Sequence, residues 1–390
     1  MHLVLVSSLI PSGPPESGFE IANQAIIEGL RRVGVKVTLL GFKWPDASLS
    51  YPENSVCLGE VDVKTDTSSL PQKLRWLGKA VAGGLTFSSA KLRIVSQDKL
   101  REAIASIGPF DGFVLNGAPL AGAFEEILTS RPFIFVAHNV EHVSAAQNAG
   151  EAASPVERLL FRREASVLKA LERRLCDKAQ FVLTLADDDI APLGLSDSAR
   201  VRSVPLTTPA APNAGKPRTP AFDTGMIGTW TWAPNRIGLE WFLQNVVPRL
   251  HPDLSIAIAG KLPSGFPQRD PRVRFLGRVD DAKEFMRQCR VISLASRAGT
   301  GIQLKTIETL ELGLPAVATP SSLRGIAEKP DNLLQADDAA GFAEQLQSHV
   351  VGQRTGTVKD VDGRVFRATQ QERMDEVLRF ALGFVIKSSL

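Results

Sequence analysis

Cysteine is scarce in this 390-residue chain. Cys57, Cys176 and Cys289 stand far apart, with no Cys-x-x-Cys pair. That spacing excludes a disulfide framework and the usual zinc sites, and three isolated thiols fit a reducing cytosol. An excess of one charge is also missing. The 45 Lys+Arg against 42 Asp+Glu give a formal net charge of +3, too little for a nucleic-acid coat. No nucleic-acid partner is expected, and any basic docking surface must be local. Long apolar runs are absent too: the weakly polar stretches around Ala80–Phe87 and Phe380–Ile386 fall well short of the ~20 residues that span a bilayer. The opening MHLVLVSSLIPSG has no basic stretch before its apolar run and breaks at Pro11, so it does not read as a signal peptide. The chain also lacks a short-period repeat and a dense Asp/His cluster.

What is present is alternation. Apolar runs at Leu3–Val6, Val35–Leu40, Gly112–Leu115, Phe133–Ala137 and Phe181–Thr184 are separated by helical patterns such as Gly18–Val33. Strands alternating with helices indicate βαβ units, and near-continuous apolar runs suit parallel strands covered on both faces. The rhythm stops where five prolines (205, 209, 212, 217 and 220) sit among Thr, Ala, Asn and Gly. It restarts at Gly225–Gly228, Ser255–Ala259, Val273–Leu276, Val291–Ala295 and Ala316–Thr319. The expectation is two α/β doubly wound domains: residues 1–204, a Pro-rich hinge at 205–222, residues 223–363, and a C-terminal helix at 364–390. That helix either closes the second domain or crosses back onto the first.

Three regions carry candidate chemistry. In residues 297–319 a strand runs into a loop with Gly299, Thr300 and Gly301, then a helix with Lys305 and Glu308 on one face. A helix N-terminus with a nearby cation suits phosphate, although the glycines can simply shape a turn and the two charges form a surface pair. His138 follows an apolar strand, at the end where ligands meet a parallel sheet. Between Pro71 and Arg101, seven Lys/Arg face one acid, interleaved with Leu74, Trp76, Leu77 and Phe87. A second basic helix runs from Ser154 to Lys178. Basic amphipathic segments bind anionic membranes, and Lys73, Arg75, Trp76 and Lys79 are the candidate contacts; a solvated helix face is the plainer alternative.

The segment around Lys305 and Glu308 resembles the signature of the retaining GT-B glycosyltransferases of family 4. In that family E-G-(F/I)-G-x4-E precedes A-x-G-x-P-V-V. Glu308 falls on the second glutamate, and Thr300 replaces the first. MIGTWTWAPNRIGLEWFLQNVVPRL (226–250) is similar to the opening of the family's second domain, and the loop before Gly18 is similar to that of its first. The resemblance implies a GT-B fold, with two Rossmann-like domains facing a cleft. It implies a metal-independent transfer of sugar, configuration retained, from a UDP- or GDP-sugar, with no cofactor. Gly18, Gly228, Lys261, Thr300, Gly301, Lys305 and Glu308 would bind the donor, with Glu308 on the ribose hydroxyls and the lysines on the diphosphate. His138 would be catalytic, facing the sugar, with Asn139 and Glu141 contacting sugar or acceptor. The acceptor implied is a lipid-linked or other oligosaccharide glycan, in exopolysaccharide or lipopolysaccharide synthesis at the inner face of the cytoplasmic membrane. A GT-B-shaped nucleotide-sugar 2-epimerase and a non-enzymatic two-domain sugar-binding protein are the alternatives.

Overall fold

The computed structural model describes residues 1–13, 15, 17–64, 68–208, 218–267 and 270–388, with side chains as far as Val385. The chain divides into two compact units, Met1–Pro209 with Arg373–Leu390, and Ala210–Glu372. Of the Pro-rich segment 205–222, residues 209–217 lie outside the described residues.

The first unit holds strands β1 (His2–Leu9), β2 (Lys36–Lys43), β3 (Ser55–Glu60), β4 (Gly112–Asn116), β5 (Phe133–Ala137), β6 (Phe181–Thr184) and β7 (Val201–Ser203). They form one parallel sheet in the order β3-β2-β1-β4-β5-β6-β7. Its helices are α1 (Gly18–Arg32), α2 (Leu70–Ala82), α3 (Phe87–Leu92), α4 (Gln97–Ser106), α5 (Ala118–Ala123), α6 (Glu125–Leu128), α7 (Glu141–Glu151) and α8 (Pro155–Lys178). Every residue of β4, β5 and β6 is buried, as expected for strands covered on both faces.

The second unit repeats the plan with β8 (Phe222–Ile227), β9 (Ile256–Ala259), β10 (Val273–Gly277), β11 (Cys289–Leu294), β12 (Ala316–Ala318) and β13 (Leu333–Gln335), in the order β10-β9-β8-β11-β12-β13. Its main helices are α9 (Ala233–Trp241), α10 (Ala282–Arg287), α11 (Leu304–Glu311) and α12 (Ala339–Thr355). Arg218 fastens its beginning: the buried guanidinium pairs with Asp360 and donates to the carbonyls of Cys289 and Arg290.

In each sheet the winding direction reverses once, between β1 and β4 and between β8 and β11. Loops leaving the carboxyl ends of such strand pairs diverge, and the crevice they leave is where α/β sheets bind ligands.

The last helix, α13 (Gly363–Ser388), starts in the second unit, and from Arg373 onward it belongs to the first. There Met374 and Leu378 pack on Gly29 of α1, Asp375 pairs with Arg32 at 2.6 Å, and Phe384 meets Phe181 at 5.0 Å between ring centroids. Among the described residues no helix is long and apolar enough to cross a membrane.

Candidate active-site edges

At the β1/β4 edge of the first unit, His138 follows β5 and is 8% exposed. Its Nε2 lies 2.7 Å from Asn116 Oδ1, at the end of β4. Asn116 Nδ2 donates to Asn23 Oδ1 at 2.7 Å, and Asn23 Nδ2 donates to the Leu9 carbonyl at 2.8 Å. Phe19, the residue after Gly18, lies 5.0 Å from the imidazole. Burial with no anionic neighbour lowers the His138 pKa to about 4, so the ring is neutral at pH 7.

Asn139 and Glu141 continue the chain from His138. The Glu141 carboxyl bonds Asn139, and burial, with Glu172 nearby, raises its pKa. Glu172 reaches from α8 to accept from the Glu141 and His142 backbone N–H groups at 2.7 and 3.3 Å. It thereby supplies the cap that Val140, at the N-cap position of α7, cannot. Gly18 opens α1, whose first turn is closed by a capping box between Ser17 and Glu20. Trp44 Nε1 also donates to Glu20, at 2.8 Å. The Ser17 and Glu20 N–H groups of this first turn are thereby taken, and a carboxylate already stands at it.

The β8/β11 edge of the second unit has opposite chemistry. Gly228 follows β8, and the loop after β11 brings Gly299 against Pro234 and then runs through Thr300 and Gly301 toward α11. Lys305 lies in the first turn of α11. Its ammonium donates to Asn235 Oδ1 at 3.2 Å and sits 5.6 Å from the Trp230 ring. Burial lowers its pKa to about 8. Glu308 does not pair with Lys305, and its carboxylate makes no hydrogen bond or ion pair among the described residues; burial raises its pKa, with Lys283 opposing. Lys261 is exposed after Gly260, and its carbonyl accepts from Trp230 N–H at 3.0 Å. Trp230 itself is core, 1% exposed, whereas Trp232 is 51% exposed.

Arg324, which the sequence reading missed, follows β12 and donates to the Gly299 carbonyl at 3.3 Å. Its loop is held by Ser322 Oγ, which donates to the Leu294 carbonyl at 2.6 Å and accepts from Ser296 N–H at 2.9 Å. Asn23, Asn116 and Asn235 were missed as well. The readable signal was a polar residue on an apolar helix face for Asn23 and at the end of an apolar strand for Asn116.

On the helical side of the first unit, Leu70, Leu74 and Val81 share an exposed stripe of α2 beside Arg75 and Lys79, with Lys73 half-buried. Trp76 corrects the expectation. It points to the opposite face, is 7% exposed, and meets Phe87 edge-on at 6.0 Å, so it is core and not a membrane contact. Lys91 is buried beneath it and donates to the Val63 carbonyl at 2.9 Å. A cavity of about 420 Å³, lined by Arg93, Glu125, Arg174 and Lys178 among others, lies on this helical side, away from the sheet edge that carries His138.

Residues 221–350 match the family model described as Glycosyl transferases group 1. No curated protein matches the chain by sequence. Among solved structures, HepE of Anabaena in complex with UDP is 15% identical over 100% of both chains, with a TM-score of 0.56. Sucrose-phosphate synthase of Thermosynechococcus elongatus is 15% identical over 98% of this chain and 99% of its own, with a TM-score of 0.63. The lipopolysaccharide outer core galactosyltransferase WaaB is 13% identical over 100% of both chains, with a TM-score of 0.54. At such identities the likeness is one of fold. Residues 221–350 thus match a Glycosyl transferases group 1 domain, and the chain has the fold of the GT-B glycosyltransferase structures, two parallel-sheet, Rossmann-like domains.

Proposed function

We propose that the chain is a retaining hexosyltransferase that moves a sugar from a UDP- or GDP-sugar to a lipid-linked or oligosaccharide acceptor. The observation that carries this reading is the pair on α11: a cation steered by Asn235 and, three residues on, a carboxylate without a partner. A nucleoside diphosphate offers what each needs, phosphate oxygens for Lys305 and ribose hydroxyls for Glu308. The UDP in the Anabaena structure supports a donor of this class.

In this reading Lys305, Lys261 and Arg324 meet the charge of the departing diphosphate without a divalent metal. Gly228, Thr300 and Gly301 let the backbone approach it. Gly18 leaves room beside Phe19, and His138, with Asn139 and Glu141, meets the sugar or its acceptor. Glycan assembly on a lipid carrier, as in exopolysaccharide or lipopolysaccharide synthesis, fits the α2 surface. Apolar Leu70, Leu74 and Val81 would enter an anionic cytoplasmic leaflet while Lys73, Arg75 and Lys79 meet head groups, at roughly 1 kcal/mol per basic residue.

The decisive experiment is calorimetry on Lys305→Ala. A charge-assisted contact is worth about 1.5–3 kcal/mol, so UDP affinity falls roughly 10–150-fold while uridine affinity barely changes. Equal losses for both ligands would remove the diphosphate role. Incubation with UDP- and GDP-sugars should release nucleotide only when a glycan acceptor is added; sugar epimerisation without acceptor would favour the 2-epimerase. Sedimentation with anionic vesicles checks the membrane, since Lys73, Arg75 and Lys79 changed together to Gln should abolish binding.

A further inference from the structure

The polarity of the hydrogen bonds at the β1/β4 edge is forced from one end. The Leu9 carbonyl can only accept, and it does so twice, from Ser7 Oγ at 3.0 Å and from Asn23 Nδ2 at 2.8 Å. With its amide nitrogen committed there, Asn23 turns its oxygen to Asn116, whose own nitrogen must face it, at 2.7 Å. Asn116 is then left with an oxygen toward His138 Nε2, also at 2.7 Å. An oxygen that only accepts requires a nitrogen that donates, so Nε2 carries the proton. Asn23 and Asn116 are each 1% exposed, and reversing either amide would set two acceptors or two donors face to face without water to relieve them. A neutral imidazole has one N–H, so Nδ1 holds a lone pair, and it has no partner among the described residues.

We propose that Asn23 and Asn116 are positioning residues that lock His138 as the Nε2-protonated tautomer, making its free nitrogen an obligate hydrogen-bond acceptor for a ligand hydroxyl. The relay joins β1, α1, β4 and the end of β5, so the strands that frame the edge also determine the proton's location. An acceptor-only nitrogen welcomes a sugar hydroxyl and opposes a carboxylate, which selects neutral hexoses over uronic acids at the position it meets. This selection rests on the proposed transferase reading; the tautomer does not.

The two parts are tested separately. The whole chain has 5 histidines, so 15N correlation spectra of the ring nitrogens are tractable, with His138→Gln assigning the signal. At pH 7 the parent should show His138 as a single neutral tautomer with the proton on Nε2. Asn23→Leu leaves Asn116 in place but removes the group that orients it, so the His138 signals should move toward a mixture of tautomers. A bystander role for Asn23 would not produce that shift. In the transferase assay the same variant should lose roughly 10–100-fold in kcat, with KM for the nucleotide-sugar and UDP affinity unchanged. A parent protonated on Nδ1, or a tautomer indifferent to Asn23→Leu, overturns the relay. A shifted tautomer with unchanged kcat overturns the contact with the reacting sugar and leaves the relay standing.

Discussion

The two sheets reverse their winding in the same way, yet the edges they expose carry opposite chemistry. The first unit offers a neutral edge, where two asparagines hold an uncharged histidine and the starts of α1 and α7 already carry the Glu20 and Glu172 carboxylates. The second offers a cationic edge, where Lys305, Arg324 and exposed Lys261 surround loops shaped by glycine. One backbone plan therefore carries two chemistries, which the proposed function assigns to hydroxyls at the neutral edge and phosphates at the cationic one. The difference lies in side chains a few residues beyond each strand, which explains how the fold can recur at 13–15% identity.

The comparison breaks most completely at Gly260. Its φ of +114° is a conformation that L residues rarely adopt, and a Cβ there would collide with the Gly228 carbonyl. Gly260→Ala should cost roughly 3 kcal/mol or more and abolish UDP binding, as read by denaturant melts and calorimetry. Normal stability would mean that the β8 and β9 ends can separate freely.

His138 sharpens the neutral side. Its folded pKa of about 4 lies below the ordinary 6.5, so on acidification the unfolded chain takes up the proton first. The contribution of this group is fully present above pH 6.5 and is lost progressively down to about pH 4, on the order of 3 kcal/mol in all. His138→Gln should flatten the stability–pH curve by that amount relative to the parent. Parallel curves would mean the ring is hydrated.

Glu172→Ala should cost about 1–3 kcal/mol, seen as a Tm lower by several degrees, because it strips the borrowed cap from α7 and the partner from His142. Smaller still is the pH effect on the cationic edge. Lys305 is a cation below pH 8 and loses its proton above it, so UDP affinity should fall about tenfold from pH 7 to 9. Affinity that holds constant over this range would place the phosphates elsewhere.

The central strands were legible because burial on both faces writes a continuous apolar run, as in FIFVA of β5. The missed strands β3, β7 and β13 all lie at sheet edges, where only some positions are buried and the run never forms. Charged and aromatic residues misled for a related reason. Trp76 looks like a membrane contact when counted by type, but the turn of α2 and its cation–π stack with buried Lys91 hold it inward. Lys305, Glu308 and His138 were visible because each follows a strand and a turn in sequence. Asn116 and Arg324 act on residues 22 and 25 positions away, a proximity that only the folded sheet creates.

The smallest stability effect should come from Glu308→Gln. The carboxylate carries a burial penalty that no hydrogen bond or ion pair among the described residues offsets, so an isosteric amide removes a cost and breaks nothing. Tm should stay within about a degree of the parent or rise slightly, since the swap conserves volume and leaves no side-chain bond broken. A group held at a cost in the empty protein gains only when a ligand brings donors to it. The same variant should therefore weaken nucleotide binding several-fold, and more for a ribonucleotide than for its 2′-deoxy analogue, which has less hydroxyl to lose. A clear fall in Tm would instead make Glu308 part of the scaffold, and the cationic edge would then lack the acceptor that distinguishes a nucleoside diphosphate from bare diphosphate.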